Sequence, residues 1–414
     1  MCWYVCDNGN AMNVAKIKSL SGGANQSGLR DYNERLLLSM LLRNGPLPGS
    51  DLARRAGLSA QTISVILRKL ENDGFLERGT PQRGRVGKPS VPMGLAADGA
   101  FALGCKIGRR NTDLVLIDFT GSVRTQKVTS YAYPMPDQIF EFLEDGTNEI
   151  MSGLSPAERA RVCGIGMAAP FELWNWYELA GAPAEEFLQW RDVDFRARIS
   201  KFSPLPVYVM NDATAACRAE HVYGRGKEFR DYAYFFIAAF VGGGIVLNHS
   251  VFEGHQGNAG ALGSLRSTSP NGESRQLIDV ASLHILEKRL HQSGISSDAL
   301  WQQPQDWTGI TRYVDAWMGE TAQELAKAAL STCSVIDFEA VLIDGAFPEN
   351  IRFELAERTS RYIANQDKRG LITPTVEPGS IGGNARAIGA ASEPIFAQYL
   401  LNTNVGLAEA QPYN

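Results

Sequence analysis

The sequence predicts an α/β protein: an N-terminal winged helix-turn-helix domain followed by a body of two similar α/β lobes. Three observations carry this expectation. Two short helical stretches meet across a glycine turn at Gly57. Positive charge gathers in the first quarter of the chain, against an acidic remainder. A strand-turn-strand pattern followed by helix and strand then occurs twice in the rest of the sequence. A chain of 414 residues exceeds one ordinary core, so two or three folding units are expected.

The first helix is expected over 31–43, with Leu36, Leu37, Met40 and Leu41 as its buried side. A short helix over 50–57 ends at Gly57, where glycine suits a left-handed cap. Ser59 can then N-cap a third helix, in which Ile63, Ile66, Leu67 and Leu70 recur at helical spacing. Gln61, Thr62, Ser64 and Arg68 are left facing outward, as on a recognition helix. Two extended segments, 75–78 and 89–95, follow as the flanks of a wing. Their connection, 79–88, carries Arg83, Arg85 and Lys88 among glycines, which let the backbone approach a narrow minor groove where guanidinium groups are attracted. Residues 28–90 contain 11 basic and 6 acidic side chains, net +5 in a chain of net −5, so the remainder carries −10. A basic head on an acidic body points to double-stranded DNA as partner, with Ser59, Gln61, Thr62, Ser64, Arg68, Arg83, Arg85 and Lys88 as the contact set.

Composition sets further bounds. Hydrophobic content of 44% with 21% charged residues is ordinary for a globular protein. The six cysteines are scattered without a C-x-x-C pair, as expected of reduced thiols in a cytoplasmic protein. The longest nearly uncharged apolar run, 232–247, is broken by three glycines and reads as two buried strands, so no membrane partner is expected. Residues 1–27 lack the apolar core of a signal peptide and are expected to form a mobile tail.

In the body, strands are expected at 101–108, 113–119 and 123–131, then a helix over 137–152 and a strand at 162–167. The strand 204–210 runs into Asn211-Asp212, where a helix opens; polar residues at the carboxyl end of such a strand lie where ligands bind in α/β sheets. Strands at 232–238 and 243–248 restart the pattern. Helices over 277–291 and 309–331, a strand at 340–344 and a helix over 351–366 complete the second half. Two such halves around a cleft give an actin-like, sugar-kinase-like architecture.

Several motifs together then resemble one family. They are Gly84-Arg-Val-Gly-Lys-Pro89, Leu103-Gly-Cys-Lys-Ile-Gly108, Leu116-Ile-Asp-Phe-Thr-Gly121, Met210-Asn-Asp-Ala-Thr-Ala-Ala216, and Gly242-Gly-Gly-Ile-Val-Leu-Asn248 followed by Gly254-His-Gln-Gly-Asn-Ala-Gly260. In order and spacing they resemble the ROK family, which contains repressors, sugar kinases and open reading frames of unknown role. The resemblance implies a domain plan of head 28–95, first lobe 100–212 completed by a helix near 384–400, and second lobe 213–383. It also shows departures from the kinases. Lys106 stands where they carry Asp, Ala238-Ala-Phe-Val241 replaces a Gly-Thr-Gly, and Ala261 and Ser264 replace a Glu and a His that hold the sugar. The cysteine cluster of the family's zinc site is absent from 265–272, so no metal and no cofactor are expected.

Phosphoryl transfer depends on positioning and charge neutralisation, so a chain lacking these groups is expected to have no catalytic residues and not to be an enzyme. A sugar effector could still bind. Asn211 and Asp212 offer donor and acceptor groups, Glu172, Trp174, Asn175 and Trp176 lie on the loop that in the family approaches the sugar, and His255 is a weaker candidate. The resemblance therefore implies a cytoplasmic, sugar-responsive repressor of carbohydrate-related genes. It would act as a homodimer or dimer of dimers on a palindromic operator. A residual ATP-dependent sugar kinase and an effector-independent DNA-binding dimer are the alternatives.

Overall fold

The computed structural model describes residues 26–401 apart from 82–89, 270, 303 and 304. The wing residues Arg83, Arg85 and Lys88, and the tail expected over 1–27 up to residue 25, lie outside the described residues. The chain divides into two units, one reaching Gly99 and including Tyr399–Leu401, the other running from Ala100 to Gln398.

The first unit contains α1 (Gln26–Asn44), β1 (Leu47–Pro48), α2 (Gly49–Ala56), α3 (Ala60–Asn72), β2 (Leu76–Arg78) and β3 (Pro92–Leu95). Gly57 caps α2 in the left-handed region at φ 66°, donating its N–H to Ala53 O. Ser59 caps α3, its Oγ accepting from the Thr62 N–H at 3.1 Å. Ile63, Ile66, Leu67 and Leu70 of α3 and Leu37 and Leu41 of α1 are buried. Each such side chain contributes about 1.5–3 kcal/mol when fully removed from water. The sheet has three strands in the order β1-β3-β2, not the two flanking segments expected from sequence. Two residues, Leu47 and Pro48, are too short a strand to show a period. Distant residues complete this unit: Phe75 packs on Tyr399 at 5.1 Å, and the Leu401 N–H donates to Ser39 Oγ.

The second unit is built on two five-stranded sheets of one topology. The first comprises β4 (Phe101–Ile107), β5 (Asn111–Asp118), β6 (Val123–Ser130), β7 (Val162–Ala169) and β8 (Val207–Asn211), with α4 (Pro136–Gly153) between β6 and β7. Its order is β6-β5-β4-β7-β8, antiparallel on one side of β4 and parallel on the other. Helix α5 (Asp212–Tyr223) follows. The second sheet comprises β9 (Tyr232–Ile237), β10 (Val241–Leu247) and β11 (Ser250–Phe252). A separate ribbon, β12 (Arg266–Thr268) and β13 (Ser274–Gln276), precedes its last two strands, β14 (Ala340–Gly345) and β15 (Thr375–Pro378). The order β11-β10-β9-β14-β15 repeats that of the first sheet.

Helices α6 (Leu283–Gln292), α7 (Thr311–Cys333) and α8 (Glu349–Ala364) belong to the second lobe, and α9 (Ala385–Tyr399) returns to the first. The helix expected over 277–291 is broken at Ser282, whose backbone is extended at φ −83°, ψ 155°. Its hydroxyl accepts from the Val241 N–H and donates to Ile278 O, so a tertiary bond competes with helix continuation. Helix α9 lies backbone-close to its neighbours: a methyl added at Gly104, Gly166 or Gly389 would meet the carbonyls of Ala387, Ala390 or Ala215. This small-residue packing fixes where the side chains of α9 emerge.

Candidate functional site

On α3 the exposed face holds Gln61, Ser64 and Arg68, together with Val65 at 59% exposure. These positions fall three and four apart, hence on one face of the helix. Arg68 makes no ion pair among the described residues, whereas Arg54, Lys69 and Arg78 are held by Asp51, Glu34 and Glu71. Thr62 is half-buried, and its hydroxyl is hydrogen-bonded to that of Ser59 at 2.8 Å, so both residues are engaged in the cap. Val65 is absent from the expected contact set. The available signal was an apolar residue falling off the 63-66-67-70 stripe.

The second unit contains a cavity of about 220 Å³ between its two lobes. Of the residues expected at a ligand site, Asn211, Asp212 and Trp176 line it; Glu172, Trp174, Asn175 and His255 do not. Glu172, held at φ 48°, accepts a hydrogen bond from Asn175 Nδ2, so these two satisfy each other within their loop. Trp174 packs against the core of the first lobe. His255 is exposed on the loop after β11. Trp176 instead packs against both cores, with its ring 5.1 Å from that of Phe240 and its Nε1 donating to Phe171 O.

Asn211 ends β8 and caps α5, its Oδ1 accepting from the N–H groups of Ala213 and Thr214. Its one side-chain oxygen thus serves the helix, which leaves the amide nitrogen as the donor it can offer a ligand. Asp212, at the first position of α5, is paired with Arg386 Nη1 at 3.2 Å. Arg386 comes from the first turn of α9, also lines the cavity, and lies over the Phe236 ring at 5.5 Å. Arg386 is not among the expected site residues; its signal in the sequence is a single cation in an otherwise small and apolar helix start, Ala385-Arg-Ala-Ile-Gly. Arg109, another lining residue, reaches Glu287 of α6 and so ties the two lobes together with Trp176 and Phe240.

In the two turns where a phosphate cradle would be sought, several donors are engaged within the protein. In the β4-β5 turn the Gly108 N–H donates to Asn111 O at 3.0 Å. Lys106 is buried, and its ammonium donates to Asp113 Oδ2 at 2.8 Å, Asn111 Oδ1 at 2.6 Å and Asn111 O at 3.2 Å, three acceptors for three protons. Burial pulls its pKa down, opposed by the Asp113 carboxylate. In the β9-β10 turn the Ala238 N–H donates to Phe240 O and the Val241 N–H to Ser282 Oγ. The Phe240 ring lies within 5.3 Å of both Trp176 and His284. Burial lowers the His284 pKa, favouring a neutral imidazole there. Among the described residues no three His, Cys, Asp or Glu side chains converge as metal ligands.

Comparison with known proteins places this geometry. Residues 102–393 match the ROK family, and residues 30–77 match the winged helix-turn-helix DNA-binding family. The chain is 24% identical over 371 residues to the uncharacterised protein y4fQ of Sinorhizobium fredii, covering 89% of this chain and 91% of that one. It is 22% identical over 242 residues to the xylose repressor of Bacillus subtilis, covering 58% of this chain and 62% of the repressor. The DNA-binding transcriptional dual regulator NagC of Escherichia coli is 22% identical over 260 residues, 61% and 62% of the two chains. The solved structure of a ROK family transcriptional regulator, described as a homologue of the E. coli MLC protein, superposes with a TM-score of 0.61 at 21% identity, covering 89% of this chain and 97% of that one. A ROK family glucokinase from Streptomyces griseus, in complex with glucose and AMPPNP, superposes with a TM-score of 0.52 at 19% identity, covering 71% and 98%. At these identities the structures speak to fold, and the fold of the body is common to regulator and kinase. With two duplicated lobes, a cleft between them, a winged helix-turn-helix ahead of them and a family match over most of its length, this chain belongs to the ROK family.

Proposed function

We propose that this protein is a sequence-specific DNA-binding repressor of carbohydrate-related genes, released or retained by a sugar that binds in the interlobe cavity and is not phosphorylated there. The observation that carries the absence of catalysis is the Asp212–Arg386 ion pair. A general base must be free to reach the proton of a sugar hydroxyl, and here Asp212 Oδ2 already accepts from the Arg386 guanidinium at 3.2 Å. The internal engagement of the Lys106 ammonium and of the Gly108, Ala238 and Val241 N–H groups supports the same conclusion, because phosphoryl transfer relies on such donors to neutralise charge.

Recognition of DNA is assigned to Gln61, Ser64, Val65 and Arg68, with Arg83, Arg85 and Lys88 of the wing as further contacts. A homodimer or dimer of dimers in the cytoplasm, acting on a palindromic operator, completes the proposal. Helix α9 offers a route for the signal: it supplies Arg386 to the cavity, and its last residue, Tyr399, belongs to the first unit. A ligand with different affinity for two arrangements of this helix would shift their populations.

The test is operator release titrated with a panel of sugars, run beside ATP consumption on the same panel. Sugar-dependent change in operator affinity with no ATP turnover is expected. Turnover by the full chain would establish the kinase alternative, and an operator affinity indifferent to every sugar would favour the effector-independent dimer.

A further inference from the structure

We infer that Gln276 is a specificity-determining contact of the effector, and that Glu324, which does not line the cavity, fixes the direction of its side chain. This rests on the assignment of the interlobe cavity as a sugar site and adds the second-lobe residue that reads the sugar's hydroxyls. Gln276 closes β13, lines the cavity and is half-buried. Its side-chain amide makes no hydrogen bond among the described residues, whereas its backbone N–H donates to Asp279 Oδ2 at 2.8 Å. A carboxamide carries donors and an acceptor together, so it can serve two neighbouring hydroxyls of a sugar, accepting from one and donating to the other. A group placed to hydrogen-bond a hydroxyl discriminates against a ligand that lacks it there, because the protein group is then left unpaired.

Strands β12 and β13 pair only with each other, outside both five-stranded sheets, and a two-stranded ribbon alone is marginally stable. Its orientation therefore depends on what its side chains hold. Ser267 and Arg275, opposite each other across the ribbon, both reach Glu324 of α7. Ser267 Oγ donates to Glu324 Oε2 at 2.6 Å, and Arg275 Nη2 lies 3.4 Å from Oε1. Glu324 is 7% exposed, on a helix whose Trp317 and Leu325 belong to the core of the second lobe. Side chains alternate along a strand, so with Arg275 turned to α7 the next residue, Gln276, points to the opposite face. On its other side Leu277 is 1% exposed and its N–H donates to Leu265 O at 2.8 Å. Gln276 is thus held between a core anchor and a carboxylate staple, with its free amide at the cavity.

The experiment is calorimetric titration of the full-length protein with glucose, galactose, mannose and xylose, the tightest of the four then serving as probe. Gln276→Ala should weaken the probe about three- to tenfold and narrow its margin over the other three sugars. Glu324→Ala, after which Arg275 and Lys327 can both turn to water, should weaken it by up to the same factor. In the Gln276→Ala background it should cost nothing further, because a residue that only aims Gln276 then has nothing left to aim. Glu324→Gln keeps an acceptor for the Ser267 hydroxyl and should retain part of the affinity lost in Glu324→Ala. With no sugar present, Glu324→Ala should speed hydrogen exchange at the ribbon amides and leave those of β9 and β14 unchanged, which separates a loosened ribbon from a damaged lobe. Undiminished probe binding in Gln276→Ala would overturn the inference and leave the sugar site standing. Additive losses from the two alanine variants, or unchanged exchange in the ribbon, would overturn the role of Glu324. Failure of all four sugars to bind would remove the sugar-site assignment and this inference together.

Discussion

Replacing Lys106 by methionine should be among the most damaging single changes in the body. The side chain is 3% exposed and its partner Asp113 7%, so neither charge has water to turn to. At 2.8 Å, and with an effective dielectric constant near 20, the gross attraction is on the order of 6 kcal/mol. Desolvation of both ions offsets much of this, and breaking such a pair from one side costs about 3–5 kcal/mol because a buried carboxylate is left uncompensated. Methionine matches lysine closely in length, so cavity formation contributes little. The loss of donors to Asn111 Oδ1 and Asn111 O acts in the same direction. The double variant Lys106→Met with Asp113→Leu removes both charges and should recover most of the loss. Urea unfolding followed by tryptophan fluorescence reports on the body, because six of the seven tryptophans, from Trp174 to Trp317, lie in the second unit. A loss below about 1 kcal/mol for Lys106→Met, or a double variant no better than the single, would refute the argument that this loop is closed by a buried ion pair.

Further outcomes follow from other parts of the molecule. Gln61→Ala should weaken binding to a selected operator by about 1–3 kcal/mol and leave binding to random DNA nearly unchanged; equal losses on both would remove Gln61 from base readout. If Val65 contacts a thymine methyl, Val65→Ala and thymine-to-uracil replacement in the operator should have non-additive effects, which gel-shift titration can measure. Asp344 is fully buried, and burial, with the negative charge of Glu220 adding to it, raises its pKa to about 6, while the nearby Arg352 opposes the rise. The raised value means that the folded state holds this proton more tightly than the unfolded chain. Its stabilising contribution is present below about pH 4 and disappears as pH rises through 6, by on the order of 3 kcal/mol. The stability difference between wild type and Asp344→Asn should therefore depend on pH across that window, and a constant difference would contradict the shift. Gly389→Ala places a methyl against the Ala215 carbonyl, where no flexible side chain can yield, and should lower stability by about 1–3 kcal/mol in thermal melts.

The sequence by itself determined what depends on local pattern. The apolar spacing of Ile63, Ile66, Leu67 and Leu70, the cap at Ser59 and the glycine at 57 were enough for a helix-turn-helix, because each acts within a few residues. Apolar stretches separated by turns were enough for the five strands of the first sheet and for β9, β10 and β14 of the second, whereas β11 and β15, three and four residues long, were not expected. Tertiary structure decided the rest. Strand β1 exists only because β3 pairs with it, and the helix break at Ser282 follows from a hydroxyl bonded to Val241, forty-one residues away. In the cavity, Asp212 was legible as a polar residue at the end of a strand, but its partner lies 174 positions later. Glycines and alanines of α9 allow its backbone to lie against β4, β7 and α5, and that close approach brings Arg386 to the carboxylate. Burial and charge pairing are properties of the packed chain, and they turned a candidate base into one half of an ion pair.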